Sequence, residues 1–382
     1  MRKIKLCGPD KCTQCYSCIS VCPKFCIKMS ETIEGILYPE IDINECIECG
    51  KCMHSCHQLQ HIERAFANRV YAAWAKDSSI RSSSSSGGVF FVIAESIIKR
   101  GGVVYGAAYG LRLKVRHIRV DNISDLMRLK GSKYIQSDIS GVYSNVKDDL
   151  DNGYWVLFSG TPCQVAGLKT YLKKNYETLI CIDLICHGVP PQKAFDRYIN
   201  KIGIDSSLAH DFRFRYLKGW GYELACNNHI LSPYNSYYLK AFTKGYMFIN
   251  ACYSCKYSTL DRVGDLTLAD FWNIGKYAPF NYSVMKGVSM VLQNTKKGEY
   301  ILHSVEQYLS LHEREIEEAI RGNHNLTRAT IYPKERINYI KDSYTLDKKD
   351  LIQKYHLKPN WKEYLRPIYR RLYFFFLLEF NL

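Results

Sequence analysis

Eight of the sixteen cysteines in this 382-residue chain fall into two runs of identical spacing. The first is Cys12, Cys15, Cys18 and Cys22, followed by Pro23; the second is Cys46, Cys49, Cys52 and Cys56, followed by His57. Each reads C-x-x-C-x-x-C-x-x-x-C, the pattern that holds two [4Fe–4S] cubanes in bacterial ferredoxins. Three thiolates spaced two residues apart wrap three corners of one cube, and the fourth, displaced by one more residue, reaches the other. The spacing predicts one cluster on Cys12, Cys15, Cys18 and Cys56, and a second on Cys46, Cys49, Cys52 and Cys22. Zinc sites use paired C-x-x-C units and have no use for a third evenly spaced cysteine. A disulfide framework belongs to an oxidising compartment and usually to a short secreted chain. His57 in place of a second proline alters the local turn but removes no ligand.

A chain of this length has room for a small cluster module and one large domain. No signal-peptide-like apolar stretch opens it, and no uncharged run approaches the ~20 residues that span a bilayer. With so many cysteines, the expectation is a reducing cytoplasm. Lysines and arginines (52) exceed acids (37), a formal charge of +15. Two all-thiolate cubanes, each about two charges negative, would bring this to roughly +11. The basic residues are dispersed, and no zinc-finger, RNP-type or helix-turn-helix signature accompanies them, so nucleic acid is not the expected partner.

Beyond a connector at 61–69, apolar strands alternate with helical spacing. Strands are predicted at 70–75, 101–109, 115–120, 154–160 and 178–186, with helices over 88–100, to about 174 and through 199. Segments near 212–215, 266–269 and 288–293 are read as later strands of the same sheet, and the chain past 301 as mostly helical. Continuous apolar strands with intervening helices imply a sheet covered on both faces. In the first sixty residues, 36–43 carries the strand character.

Three loops in this domain carry chemistry. Ser82 to Ser86 followed by Gly87 and Gly88 admits two readings: a flexible linker, or a small-residue loop whose helix N-terminus offers N–H groups to a phosphate. Ser159-Gly160-Thr161-Pro162-Cys163-Gln164 and Cys186-His187-Gly188-Val189-Pro190 each end a strand, where ligand sites of open α/β sheets lie. Cys252 and Cys255 form a separate C-x-x-C, readable as a redox pair or half a zinc site; with Cys163 and Cys186 they could instead hold a third cubane. Cys181, mid-strand, reads as an inert buried thiol, and Cys7, Cys26 and Cys226 have no companion pattern.

Together these landmarks resemble the coenzyme F420 hydrogenase/dehydrogenase beta-subunit family. The resemblance rests on the twin runs, SSGGVF (85–90), KGSKYIQSD (130–138), FSGTPCQVAGL (158–168), DLICHGVP (183–190), CYSCKY (252–257), GDLTLADFW (264–272) and GVSMVLQNTKKG (287–298). It implies an α+β ferredoxin-like 2[4Fe–4S] module over 1–62, then an α/β flavin-binding domain with a mixed sheet over 70–320, then a helical C-terminal extension over 321–382. It further implies non-covalent FAD. Ser86, Gly87 and Gly88 would approach its phosphates; Lys130, Ser132, Lys133, Tyr134, Gln136 and Ser137 would line the flavin pocket, bordered by Gly160 and Thr161. Cys163, Cys186, Cys252 and Cys255 become the candidate ligands of a third cluster. Lys130 and Lys133 are read either as stabilising reduced flavin or as pairing phosphate and solvent, and His187 either as a proton donor or as a structural hydrogen-bonder.

The function so implied is a flavin and iron–sulfur oxidoreductase. It would exchange electrons between reduced ferredoxin, or a similar carrier, and a small organic substrate. Many bacterial members of the family lie among cell-surface polysaccharide genes, which points to a sugar or lipid-linked glycan. A non-catalytic electron-transfer subunit of a larger redox complex is the rival reading, and a coenzyme F420 reductase another. The C-terminal RPIYRRLYFFFLLEFNL (366–382) mixes arginines with a short apolar stretch, and is read either as an interfacial helix at the inner membrane face or as a helix packed on the domain.

Overall fold

In the computed structural model, residues 4–67, 69–216, 223–359 and 361 are described. The N-terminal residues form a small module around one hairpin, β1 (Ile27–Glu31) and β2 (Leu37–Ile41), paired from Ile27↔Ile41 to Glu31↔Leu37. Only the second strand was legible as one. The first reads IKMSE, a half-exposed alternation whose apolar members are just Ile27 and Met29. The hairpin turns at Gly35, whose φ of +88° suits a residue without a Cβ.

The large domain is built on one eight-stranded sheet. Its strands are β3 (Arg69–Ala75), β4 (Val103–Tyr109), β5 (Val115–Val120), β6 (Val156–Gly160), β7 (Leu179–Leu184), β8 (Leu266–Asp270), β9 (Ser289–Gln293) and β10 (Leu309–Arg314). The order is β10-β3-β9-β8-β7-β6-β4-β5, with β8, β7, β6 and β4 mutually parallel at the centre and antiparallel pairs towards both edges. The long helices are α1 (Val89–Lys99), α2 (Val142–Asp151), α3 (Pro162–Leu172), α4 (Gln192–Lys201) and α5 (Lys296–Ser304). Val104, Leu157, Ile180 and Ile182 point to the face covered by α1 and α5. Their neighbours Val103, Tyr105, Val156, Phe158, Leu179 and Cys181 point to the face covered by α2 and α3. Both faces are buried, so these strands read as near-continuous apolar runs. Cys181 is one core thiol among them.

Two expectations differ from the structure. Phe212–Arg213 does not extend the main sheet; it pairs with Ala225–Cys226 in a separate three-stranded sheet. Phe212 and Phe214 are instead drawn into an aromatic cluster with Phe195, Tyr198 and Tyr238. Past residue 301 the chain is not simply helical. LSLHER forms β10, which closes the sheet edge against β3, its Leu309 buried and Glu313 exposed. Helices α6 (Arg336–Thr345) and α7 (Lys348–Lys354) then pack Tyr339, Leu351 and Tyr355 onto the aromatic cluster. No helix among the described residues is long and apolar enough to cross a membrane, and the apolar C-terminal stretch lies outside them.

One buried polar node ties the sheet's centre to the loops beyond it. Asp183, at the end of β7, is fully buried and pairs with the equally buried Arg262 at 2.8 Å. Its carboxylate also accepts from Thr267 Oγ1 (2.6 Å), Gly264 N (2.9 Å) and Val263 N (3.2 Å). Arg262 donates on to the carbonyls of Tyr257 and Leu184. Asp183→Ala would leave a guanidinium buried without its counter-charge. The expected cost is about 3–5 kcal/mol, read as a lower denaturant midpoint in chemical unfolding.

Candidate functional site

The two cysteine runs fold alike. Each has a single helical turn after its second cysteine, Ser17–Ser20 and Lys51–His54. Each places left-handed residues at matching positions, Gln14 and Glu48, Tyr16 and Gly50. Successive N–H groups in such mixed-hand turns make concavities that suit anions, iron–sulfur clusters among them. Cys22, Cys46, Cys49 and Cys52 line one cavity, and Cys12, Cys15, Cys18 and Cys56 line another. Each cavity gathers the four thiols that the spacing groups together with a fifth, Cys26 or Cys7. Among the described residues no three His, Cys, Asp or Glu side chains converge on a point as ligands of a single metal ion. A cubane asks for something else: each thiolate binds its own iron, so four sulfurs stand around a cube. Thiols arranged about a common cavity fit that requirement in their chemistry.

The module is locked onto the large domain through the second of these cavities, the inner one. His57 is fully buried; its Nε2 meets Thr13 Oγ1 and its Nδ1 meets Tyr257 OH, both at 2.7 Å. Its carbonyl accepts from Lys256 Nζ, and Arg64 donates to the Lys256 carbonyl at 2.8 Å. Thus the histidine that replaces a proline joins the Cys56 run to the loop carrying Cys255. Cys15 packs on helix α3 at Gly167, where a Cβ would lie 2.9 Å from the Cys15 Cβ and 3.1 Å from its Sγ.

The four later cysteines come together although nothing local groups them. Cys163 sits in the first turn of α3, Cys186 just past β7, and Cys252 and Cys255 at the turn Asn250–Ser254 and its end. Burial pushes the Cys163 thiol up to about 11 and Cys186 up to about 12, and each is raised further by the proximity of Cys255. Cys252 is raised by burial and then by Cys186, Cys163 and Cys255. Val189 N donates to Cys252 Sγ at 3.4 Å, and Thr161 Oγ1 lies 3.2 Å from Cys163 Sγ. Cys15 also feels Cys163, so this group adjoins the inner cavity.

On the other side of Cys163 a buried hydrogen-bond chain runs outward. Thr161 caps α3 reciprocally with Gln164, whose amide donates to Ser137 Oγ at 2.9 Å. Ser137 meets His117 Nδ1 at 2.8 Å, and His117 Nε2 donates to the Ser159 carbonyl at 2.9 Å. Gly160, Thr161, Gln136 and Ser137 therefore cluster at this end. Ser86, Gly87, Gly88, Lys130 and Ser132 form the other end. Lys130 Nζ donates to Ser83 Oγ at 2.6 Å, and Ser132 N to Ser85 Oγ at 2.8 Å. The serines are no loose linker, because Ser83 and Ser84 bond back to the carbonyls of Ser79 and Ile80. Helix α1 starts at Gly88 with φ +84° and no side-chain cap, and the buried Ser86 Oγ has no hydrogen-bond partner. An uncapped helix N-terminus, an orphaned hydroxyl and a lysine fit a phosphate group.

Tyr134 and His187 stand between the two ends. Tyr134 OH accepts from Arg215 at 2.8 Å, and Arg215 forks onto both oxygens of Asp270 at 2.7 Å. Burial lowers His187 to about 4; its ring lies edge-on to His324, with centroids 5.5 Å apart. Lys133 is turned elsewhere. Its ammonium donates to the carbonyls of Arg128, Leu129 and Lys130 at 2.9–3.2 Å, and burial brings it down to about 7. It shapes the 127–133 turn. Arg215, Asp270 and His117 carry no sequence signal beyond their place in strands and loops.

Residues 154–319 match the family described as the C terminus of the beta subunit of coenzyme F420 hydrogenase/dehydrogenase. No curated protein matches the chain. Among solved structures, a chain of the F420-reducing [NiFe] hydrogenase complex from Methanosarcina barkeri is similar at 15% identity and TM-score 0.45. The likeness covers 77% of this chain and 95% of that one.

The buried His117 gives the site a pH signature. Burial holds it at about 4 against an ordinary value near ~6.5. The unfolded chain therefore takes up this proton first, and stability falls as pH drops from about 6.5 to about 4, then levels off. His117→Asn should remove one histidine's share of that slope, on the order of 3 kcal/mol, measured as the difference in unfolding free energy between pH 7 and pH 4.

Proposed function

Since residues 154–319 match the family model for the C-terminal part of the beta subunits of coenzyme F420 hydrogenases and dehydrogenases, which makes this chain a relative of those proteins, we propose that it is a flavin- and iron–sulfur-dependent oxidoreductase. The observation that carries this reading is the succession of thiol groups. The outer cavity adjoins the inner one through Cys52 and Cys18, and the inner one adjoins the four later cysteines through Cys15 and Cys163. Cubanes held by these cysteines would pass single electrons, and FAD would exchange electron pairs with an organic substrate.

The chain's own residues then have defined tasks. Ser86 and the first amides of α1 would bind the FAD phosphates, with Lys130 supplying the charge. Tyr134, held by the Arg215–Asp270 pair, and Gln136 and Ser137 would line the ring site. His187, packed edge-on to His324 just past the end of β7, is the candidate to hold a proton at the substrate. The carrier would dock at the outer cavity, where Cys49 is exposed and Phe25, Ile43 and Ile47 present apolar surface to solvent. That surface favours a protein such as a ferredoxin. The organic substrate is proposed to be a sugar or lipid-linked glycan, on the family resemblance alone.

Anaerobic purification with iron, sulfide and flavin determination tests the reading. About twelve irons per chain is the expected result, about eight removes the third cluster, and absence of bound flavin overturns the enzyme. Lys130→Met should weaken FAD retention by roughly tenfold or more, the worth of a charge-assisted hydrogen bond, with the iron content unchanged.

A further inference from the structure

Both cluster cavities contain a fifth thiol that the spacing rule does not supply. Cys26 lines the cavity of Cys22, Cys46, Cys49 and Cys52, and Cys7 lines that of Cys12, Cys15, Cys18 and Cys56. In each case the extra sulfur lies beside the crossing cysteine, the one contributed by the other run. Cys26 Sγ is 3.5 Å from Cys22 Sγ, and Cys7 Sγ is 3.8 Å from Cys56 Sγ. Each also lines the same cavity as the first cysteine of its set, Cys26 with Cys46 and Cys7 with Cys12.

This symmetry is not inherited from the repeat. The runs are offset by 34 residues (46 − 12), and that offset carries Cys7 onto Ile41 and Cys26 onto Gln60. One extra thiol precedes the first run and the other follows it, yet the fold brings each to the equivalent corner. A buried cysteine that serves only as a small apolar residue has no reason to face a cavity of thiols at both corners. It has still less reason to choose the crossing ligand twice.

We propose that Cys7 and Cys26 are reserve cluster ligands, each able to replace the crossing cysteine, Cys56 or Cys22, on the iron it serves. This rests on the reading of the cavities as [4Fe–4S] sites. The exchange involves no net redox change. The incoming thiol gives its proton to solvent and binds iron as thiolate, while the outgoing thiolate leaves the iron and takes up a proton. A cubane has one terminal position per iron, so four of the five thiols serve at a time and the fifth stands by.

Anaerobically prepared C56A and C22A chains, the doubles C7A/C56A and C22A/C26A, and the controls C7A and C26A decide it. Iron and acid-labile sulfide are counted, and free thiols are mapped by iodoacetamide alkylation of the native protein. The expected result is wild-type iron in C56A and C22A, and loss of one cubane's iron and sulfide in each double. Cys7 should be alkylated in the wild type and protected in C56A. Singles that lose as much iron as the doubles, with Cys7 still open to alkylation in C56A, overturn the proposal. So does failure of both C56A and C22A to fold while C7A and C26A fold, since a reserve ligand must keep the site intact. A wild-type chain without cluster iron would instead sink the function proposed above.

Discussion

The Asp183–Arg262 pair holds the parts of this protein in register. It lies where the central strand β7 gives way to the loop carrying Cys186, and where the segment after Cys255 turns back to begin β8. Arg262 reaches the carbonyl of Tyr257 on one side and that of Leu184 on the other. The relative position of Cys186 and Cys255 is therefore set by a charge pair with no access to water. A buried pair is weak evidence for net stability, because desolvation offsets much of its attraction. Its geometry is what matters here. The carboxylate accepts from two backbone amides and a hydroxyl besides the arginine, so the loop has one arrangement and little freedom to find another.

From that node the contacts lead directly to the N-terminal module. Tyr257, positioned by Arg262, hydrogen-bonds His57, and His57 hydrogen-bonds Thr13 inside the first cysteine run. The same run lays Cys15 on Gly167 of α3, about one helical turn past Cys163. Two separate contacts thus fix the inner cavity against the later cysteines, one by hydrogen bonds and one by close packing at a glycine. The module is an integral part of the molecule, because its docking face and its thiol cavity share residues.

Much of the fold was legible because burial on both faces leaves a plain mark. Strands such as YWVLFSG and TLICIDLIC are almost wholly apolar, Asp183 being the charged exception, and their ends fell within two residues of prediction. Elements with mixed surroundings were not. IKMSE and LSLHER are edge or half-exposed strands with two apolar residues each, too few for a period to declare itself. The 212–215 segment was read as a strand of the main sheet; it is a strand, but it pairs in a small separate sheet beside the aromatic cluster that Phe212 and Phe214 join. At the site, the sets of four thiols followed from spacing, since a cubane imposes its own geometry on a short loop. Cys7 and Cys26 did not, because their role depends on where the chain ends up in space. The same holds for Arg215, Asp270 and His117, whose significance lies in partners 20 to 55 residues away.

The electrostatic layout divides the site in two. At the Ser86–Gly88 end the chain provides a lysine, an uncapped helix N-terminus and an orphaned hydroxyl, all suited to an anion. At the thiol end burial first, and then the thiols' proximity to one another, raises Cys15 and Cys186 above their ordinary range. Between the two, His117 is held neutral by burial, and Gln164, Ser137 and Thr161 pass hydrogen bonds without formal charge. A charge arriving in such a low-dielectric passage is felt over a longer distance than in water. The relay itself adds no fixed charge; the formal charges nearest the Ser86–Gly88 end are Lys130, bonded to Ser83, and the Arg215–Asp270 pair, whose guanidinium also bonds the Ser85 carbonyl.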